Sequence, residues 1–450
     1  MTKKDIFVYL VSAVLAMSSS ADGHALDGAW RGDLSVNSAK LPLVFHFTTD
    51  DNGSVRCTLD SPMQGVKGLA TEVTYCSGDS LALTISKIGA SYSGIIGDNE
   101  ISGSFAQSGF RFPLVLSPEQ SIYDRRPQTP RPPFPYGSKD VTFSSSDGTM
   151  LAGTLTIPAS ADGDITAVVL VTGSGPQNRD EELFEHRPFA VIADYLARNG
   201  IASLRYDDRG VAKSGGDFKT SDIETFKADA AAAVDFLRRE QGVGKVGVIG
   251  HSEGGTIALM LAADKTVDFA ISMAGAIVSG KDLILAQNVR ALHKLQATQK
   301  QTDDAMTLLS HVFDDIIKGK NYGDIDVDTY VKEDALDIPP VVVASVRQSL
   351  AASSGQYFRQ LLSLAPSEWI CDIKVPVFAI NGSADIQVVS GDNLSALSQA
   401  LPTAEQKEYP GLNHLFQHAV TGEIAEYAEI TETISPEVLA DITRFIKVQK

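Results

Sequence analysis

The chain has 450 residues, 43% of them hydrophobic, more than one ordinary domain needs and ample for separate cores. Lys and Arg number 38 against 56 Asp and Glu; a net charge of −18 repels phosphates and argues against nucleic acid and anionic membrane surfaces as partners. The 8 His are scattered and the 3 Cys widely separated, so no metal-ligand spacing is present and neither cofactor nor metal is expected.

Residues 1–25 have the pattern of a signal peptide. Lys3 and Lys4 precede an apolar run from Ile6 to Met17, and small residues follow at Ser18 to Ala21. The run falls short of the roughly 20 apolar residues a membrane span needs. Export with cleavage after Ala21 or Ala25 is the expectation, to the periplasm or the medium; no Cys stands near the cleavage site to carry a lipid. An oxidising compartment would permit a Cys57–Cys76 disulfide, although two neighbouring thiols fit the sequence nearly as well.

Residues 26–117 read as a small all-β domain, a barrel or a sandwich. Trp30–Leu34, Leu43–Phe47, Leu81–Ile85 and Phe112–Leu116 are short strand candidates, with turns at Asp51-Asn52-Gly53 and Gly97-Asp98-Asn99. No catalytic constellation falls there. Its candidate roles are glycan or lipid binding, a share in a cleft, homodimer formation, or packing alone. Residues 118–137 carry Pro118, Pro127, Pro130, Pro132, Pro133 and Pro135, the composition of an extended, semi-rigid linker.

From residue 138 onward strands and helices alternate, which predicts a mostly parallel, doubly wound α/β sheet. A hairpin, Val141–Phe143 and Leu151–Ile157, turns at Asp147-Gly148. Ala167–Val171 is the best buried strand and runs into Thr172-Gly173-Ser174-Gly175-Pro176, which lacks the Lys-Ser/Thr ending and Gly spacing of a phosphate loop. Helices follow at 188–198, ended by Asn199-Gly200, and at 223–239, with Asp222 as N-cap. Between them, Arg205, Asp207, Asp208 and Arg209 follow the strand Ile201–Leu204. Such a cluster could bind a substrate's carboxylate or amine, but an internal salt-bridge network is the better reading. Asp180, Glu181 and Glu182 are open to the same two readings, and acidic groups at a rim would also suit a free amino terminus.

Val246–Ile249 leads into Gly250-His251-Ser252-Glu253-Gly254 and then a helix-prone stretch from Thr256 to Ala263. A serine on a tight strand-to-helix turn between glycines is the setting of an exposed nucleophile. After the strand Phe269–Met273, residues 277–370 break the alternation with helical periodicity, as in Asp303–Ile317, and are expected to form a cap. Its His293 and His311 are expected at the surface or in packing, and Cys371 as an unpaired buried thiol. Val375–Ile380 is followed by Asp385, and Lys407–Tyr409 by His414. Both therefore lie in turns just past strands, on the sheet edge that carries Ser252.

Proton chemistry assigns the roles. Ser252 needs a base, His414 would take and return its proton, and Asp385 would orient the imidazole. Asp372 precedes its strand, Asp392 requires a long loop, and His418 is expected on a following helix. His251, inside the turn, is expected to pack behind it. An oxyanion needs two backbone N–H donors: Glu253 for one, Ser174 for the other, with Gly175 as alternative.

The runs Val171–Glu181, Leu204–Gly210, Gly250–Gly255 and Gly411–His414 resemble the EstD-type carboxylesterase family of α/β-hydrolases, a serine aminopeptidase-like domain, over roughly residues 138–450. Thr172-Gly173 stands where many of these proteins carry His-Gly, and Ala212 where their charged loop has its second Gly. The resemblance implies an α/β-hydrolase fold and an esterase acting on small-molecule, short-chain acyl esters, with Ser252, Asp385 and His414 as triad. The expectation is a secreted or periplasmic serine carboxylesterase; an aminopeptidase or amidase with the same triad, or a binding protein on a hydrolase scaffold, are the alternatives.

Overall fold

The computed structural model describes residues 26–449 apart from 37–38, 51, 65, 98, 120–121, 160–163 and 353–355. The signal-peptide expectation for residues 1–25 lies outside the described residues. The chain divides into two compact units, Met1–Ser121 and Ile122–Lys450.

The first unit is a closed antiparallel barrel of eight strands in chain order: β1 (Gly28–Val36), β2 (Ala39–Thr49), β3 (Val55–Ser61), β4 (Val66–Ser77), β5 (Ser80–Ile85), β6 (Ala90–Ile96), β7 (Ile101–Gln107) and β8 (Phe110–Pro118). β8 returns to β1 at Trp30 and Arg31 and closes the ring. Alternate residues point inward, so Phe45, Phe47, Leu83, Tyr92, Phe105 and Leu116 fill the interior. Gly103 makes room for Tyr92: a Cβ there would lie 2.5 Å from the phenol oxygen. Cys57 is buried on β3 and Cys76 exposed on β4, and both are free thiols, so the disulfide is not formed. Burial pushes the Cys57 thiol up to about 12.

The second unit is an α/β-hydrolase sheet of eight strands. α1 (Ile122–Arg125) opens it, followed by the hairpin β9 (Gly137–Ser144) and β10 (Met150–Ile157). Then come β11 (Ile165–Val171), α2 (Pro188–Arg198), β12 (Ala202–Tyr206), α3 (Ile223–Arg239), β13 (Val243–His251), α4 (Glu253–Ala263) and β14 (Ala270–Met273). The cap helices α5 (Gly280–Lys294), α6 (Gln299–Ile317), α7 (Val327–Glu333), α8 (Pro340–Ala352) and α9 (Gln356–Ser363) interrupt the alternation. β15 (Val377–Gly382), α10 (Ser390–Ala400), β16 (Glu405–Tyr409) and α11 (Pro436–Lys447) complete it. The strand order is β16-β15-β14-β13-β11-β12-β10-β9, with β10 antiparallel to its neighbours and β11 to β16 parallel. Strands covered on both faces must be apolar throughout, and Ala167–Val171 is buried at every residue. One face packs on α3, α4 and α10, the other on α2 and α11. The cap has a core of its own, built around Leu308, Val312, Phe313 and Ile316 of α6.

From α1 onward the proline-rich stretch lies on the hydrolase unit, where Arg125 pairs with Glu185 at 2.9 Å and Arg126 donates to the carbonyls of Phe184 and Ala428. Cys371, expected to be buried, is exposed. Among the described residues no helix is long and apolar enough to cross a membrane.

Candidate active site

The apolar run of β13 ends at His251, and the chain reverses at Ser252 with φ 54° and ψ −118°, a conformation that costs about 1–3 kcal/mol for a residue other than Gly. The flanking glycines make the turn sterically feasible. A Cβ on Gly250 would lie 1.8 Å from the Gly254 carbonyl, and one on Gly254 would lie 2.1 Å from the Val171 carbonyl. The Ser252 N–H donates to the Met273 carbonyl at 2.8 Å, tying the turn to the next strand. Glu253 is the first residue of α4, so its N–H has no partner within the helix.

Asp385 lies three residues past β15. Its Oδ1 accepts the N–H groups of Gln387 and Val388 at 2.8 and 2.9 Å, while Oδ2 faces His414 Nδ1 at 2.7 Å. Both side chains are buried. An ionised carboxylate only accepts, so the hydrogen is assigned to Nδ1, and Nε2 of the neutral ring carries the lone pair. Gly382 permits this approach, since a Cβ there would lie 2.1 Å from the Leu412 carbonyl of the loop bearing His414. Among the described residues no hydrogen bond joins Ser252 Oγ to His414 Nε2, and such contacts commonly tighten only with substrate bound.

His251, expected to pack behind the turn, instead links the loops. Its Nδ1 is 2.9 Å from Glu181 Oε1 and its Nε2 2.9 Å from the His414 carbonyl. Glu181 Oε1 also accepts the Gly173 N–H at 2.7 Å. Burial works against charge on His251, but the Glu181 carboxylate outweighs it, and the imidazole's pKa is raised.

Past β11, the Ser174 and Gly175 amides have no hydrogen-bond partner among the described residues. Ser174, Ser252 and Glu253 line a cavity of about 400 Å³ together with Leu283 and Ile284 of α5 and Tyr357 and Leu361 of α9. The Glu253 carboxyl is raised by burial, an effect that its contact with the Tyr357 hydroxyl opposes. The remaining candidates lie apart. Asp372 and Asp392 are exposed. His418 is exposed beside Glu432, in a bridge with Leu412 rather than on a helix. His293 is exposed on α5, and His311 pairs with Asp334 on α6.

The charged loop after β12 is an internal network. Arg179 clamps Asp207 through two nitrogens at 3.0 and 2.7 Å, Arg209 clamps Asp229 at 2.7 and 2.6 Å, and Arg205 pairs with Asp180. Asp208 accepts from Thr172 Oγ1 and the Gln177 N–H, bracing the donor loop. Burial pushes its carboxyl up to about 7. Among the described residues no group of His, Cys, Asp or Glu is arranged to hold a metal.

A family model described as serine aminopeptidase, S33, matches residues 185–418. Esterase EstD of Thermotoga maritima is 27% identical over 286 residues, 63% of this chain and 61% of the relative. An acyl transferase of Photobacterium phosphoreum is 32% identical over 90 residues, 20% of this chain and 29% of its own. The matched segments thus span about three fifths and under a third of these relatives' lengths. The solved structure of an esterase from Pyrococcus furiosus is similar at 17% identity and a TM-score of 0.42, covering 70% of this chain and 91% of that one.

Proposed function

The chain belongs to the serine aminopeptidase S33 family, and from that premise we propose that it is an exported serine carboxylesterase acting on short-chain acyl esters. The observation that carries this reading is the Asp385–His414 pair at 2.7 Å, whose histidine carbonyl is held by His251, the residue preceding a serine on a strained turn. Supporting it are two unbonded amides, at Ser174 and Glu253, in residues that line the same cavity as Ser252. EstD of Thermotoga maritima, an esterase by name, gives the same direction. Export rests on the charged, apolar and small-residue succession of residues 1–25.

In this mechanism Ser252 Oγ attacks the ester carbonyl carbon as its proton passes to His414 Nε2. Asp385 holds the ring's orientation and stabilises the imidazolium. The carbonyl oxygen, now an anion, takes the N–H groups of Ser174 and Glu253, each such donor being worth about 10²–10³ in rate. His414 returns the proton to the departing alcohol and leaves an acyl-enzyme. Water, deprotonated by His414, then attacks the acyl carbon and releases the acid and Ser252.

The test is labelling by a fluorophosphonate together with turnover of a chromogenic short-chain ester. Ser252→Ala should abolish labelling and lower kcat by about 10⁴–10⁶. Labelling that survives the substitution refutes the nucleophile, and a chain that neither labels nor turns over esters is a binding protein. A second reading, aminopeptidase, draws on the Glu253 carboxyl in the cavity wall, which would suit a free amino group. Faster turnover of an aminoacyl-anilide than of the ester would select it.

A further inference from the structure

Behind the Asp385–His414 pair lies a second, fully buried carboxylate–histidine pair that the mechanism does not use. We propose that His251, held by Glu181, is a positioning residue that sets the relative placement of nucleophile, base and oxyanion donors. The inference rests on the reading of Ser252 as nucleophile and His414 as base.

Three loops meet at this pair. Glu181 Oε1 takes the Gly173 N–H at 2.7 Å and faces His251 Nδ1 at 2.9 Å, so it holds the residue next to the Ser174 donor. His251 is joined by a peptide bond to Ser252. Its Nε2 reaches the His414 carbonyl at 2.9 Å, and the two rings are 4.7 Å apart by centroid. His414 is thus fixed twice, at Nδ1 by Asp385 and at its own backbone by His251. Glu181 adopts a left-handed backbone, φ 51°, with only 4% of its surface exposed. That strain persists only where surrounding contacts over-determine it.

The protonation state follows from the partners. A carbonyl oxygen can only accept, so Nε2 carries a hydrogen. Glu181 Oε1, already accepting from Gly173, presents a carboxylate to Nδ1, which carries another. With Glu181 as the carboxylate, His251 is an imidazolium, and both bonds exist together only while the pair holds that proton. The charged and titratable groups around it are Glu181 from the donor loop, with Asp208 beyond it, and Asp385 and His414 from the loops after β15 and β16. Glu181 and Asp385 favour the charge. Because a histidine raised in pKa keeps its bonds below that pKa and loses them as pH rises through it, the alignment should weaken on the alkaline side.

A displacement of about 1 Å between reacting groups costs about 10² in rate, so the pair should act on kcat rather than on KM. The experiment compares Glu181→Gln, His251→Gln and His251→Ala with the unaltered protein, in ester turnover across pH. Glu181→Gln and His251→Ala should lose about 10–10² in kcat with KM changed less than about twofold. His251→Gln, able to donate to the His414 carbonyl, should recover part of that loss and show no alkaline decline. Full kcat in all three, or an unchanged alkaline limb in His251→Gln, overturns the proposal. If the variants do not fold, ¹⁵N-histidine spectra of the unaltered protein decide: two protonated ring nitrogens above pH 7 are expected, and a neutral tautomer refutes it. Ester turnover unaffected by Ser252→Ala would instead refute the underlying reading, whatever the His251 variants do.

Discussion

Ala212 stands where a glycine belongs. Its φ is 46°, in the left-handed region, and the turn around it is pinned by the Gly210 N–H on the Gly215 carbonyl and by Ser214 Oγ donating to the Asp207 carbonyl. An L-residue with a Cβ is strained there by roughly 1–2 kcal/mol. Ala212→Gly should therefore raise stability by about 1 kcal/mol, read as a higher denaturant midpoint at unchanged slope. Asp208 gives a pH-dependent counterpart. Its buried carboxyl, raised to about 7, binds a proton in the folded state that the unfolded chain releases near pH 4. Stability from this group is thus fully present at acid pH and falls as pH climbs from about 4 to about 7. Asp208→Asn should narrow the difference between melting temperatures at pH 5 and pH 8, and an unaltered difference would exclude the assignment. At this scale the sequence was informative where a residue's place depends on its own neighbours. Ser252, Asp385 and His414 each sit just past a predicted strand, so their turns could be read locally. The Glu181–His251 link could not be: it joins residues 70 apart and depends on a left-handed backbone at Glu181 that no local pattern marks.

The cap shows what an element adds to a site whose chemistry lies elsewhere. α5 and α9 supply Leu283, Ile284, Tyr357 and Leu361 to the cavity that Ser174, Ser252 and Glu253 also line. Break of alternation located this insertion, because β-α periodicity is a strong pattern and its interruption is visible. Which side chains face the serine was not legible, since a helix's rotation is set by packing against the rest of the unit. The barrel shows a similar limit. β6 (Ala-Ser-Tyr-Ser-Gly-Ile-Ile) and β7 (Ile-Ser-Gly-Ser-Phe-Ala-Gln) are hard to read as strands because serine and glycine, weak strand formers, occupy three positions in each. The cavity itself yields a prediction. Leu361→Trp places a larger ring in a space of about 400 Å³ and should shift ester preference toward shorter acyl chains. In kcat/KM the loss should be about tenfold or more for a longer chain and small for acetyl, given about 1–3 kcal/mol per misplaced methylene. Equal loss across the chain-length series would show that α9 does not bound the acyl site.

At the scale of the whole molecule, two units each bury a core of their own, and all candidate site residues belong to Ile122–Lys450. Stability and activity should therefore be separable by substitutions confined to the barrel. Tyr92 is the most direct lever. It is almost wholly buried, and its hydroxyl reaches the carbonyls of Ile101 at 2.9 Å and Leu114 at 3.2 Å, bracing β7 and β8 from inside. Tyr92→Phe keeps the ring in the space left by Gly94 and Gly103 but removes the one hydroxyl hydrogen that the two carbonyls share. The cost should be about 1–3 kcal/mol, and it should fall on the barrel alone. Calorimetry is expected to show two transitions, with Tyr92→Phe lowering one and leaving the other in place. Fluorophosphonate labelling at Ser252 and kcat for a short-chain ester should stay within about twofold of the unaltered protein, the range expected of a change that reaches no reacting group. A parallel fall in both transitions, or a loss of labelling, would mean that the hydrolase site depends on the barrel's integrity.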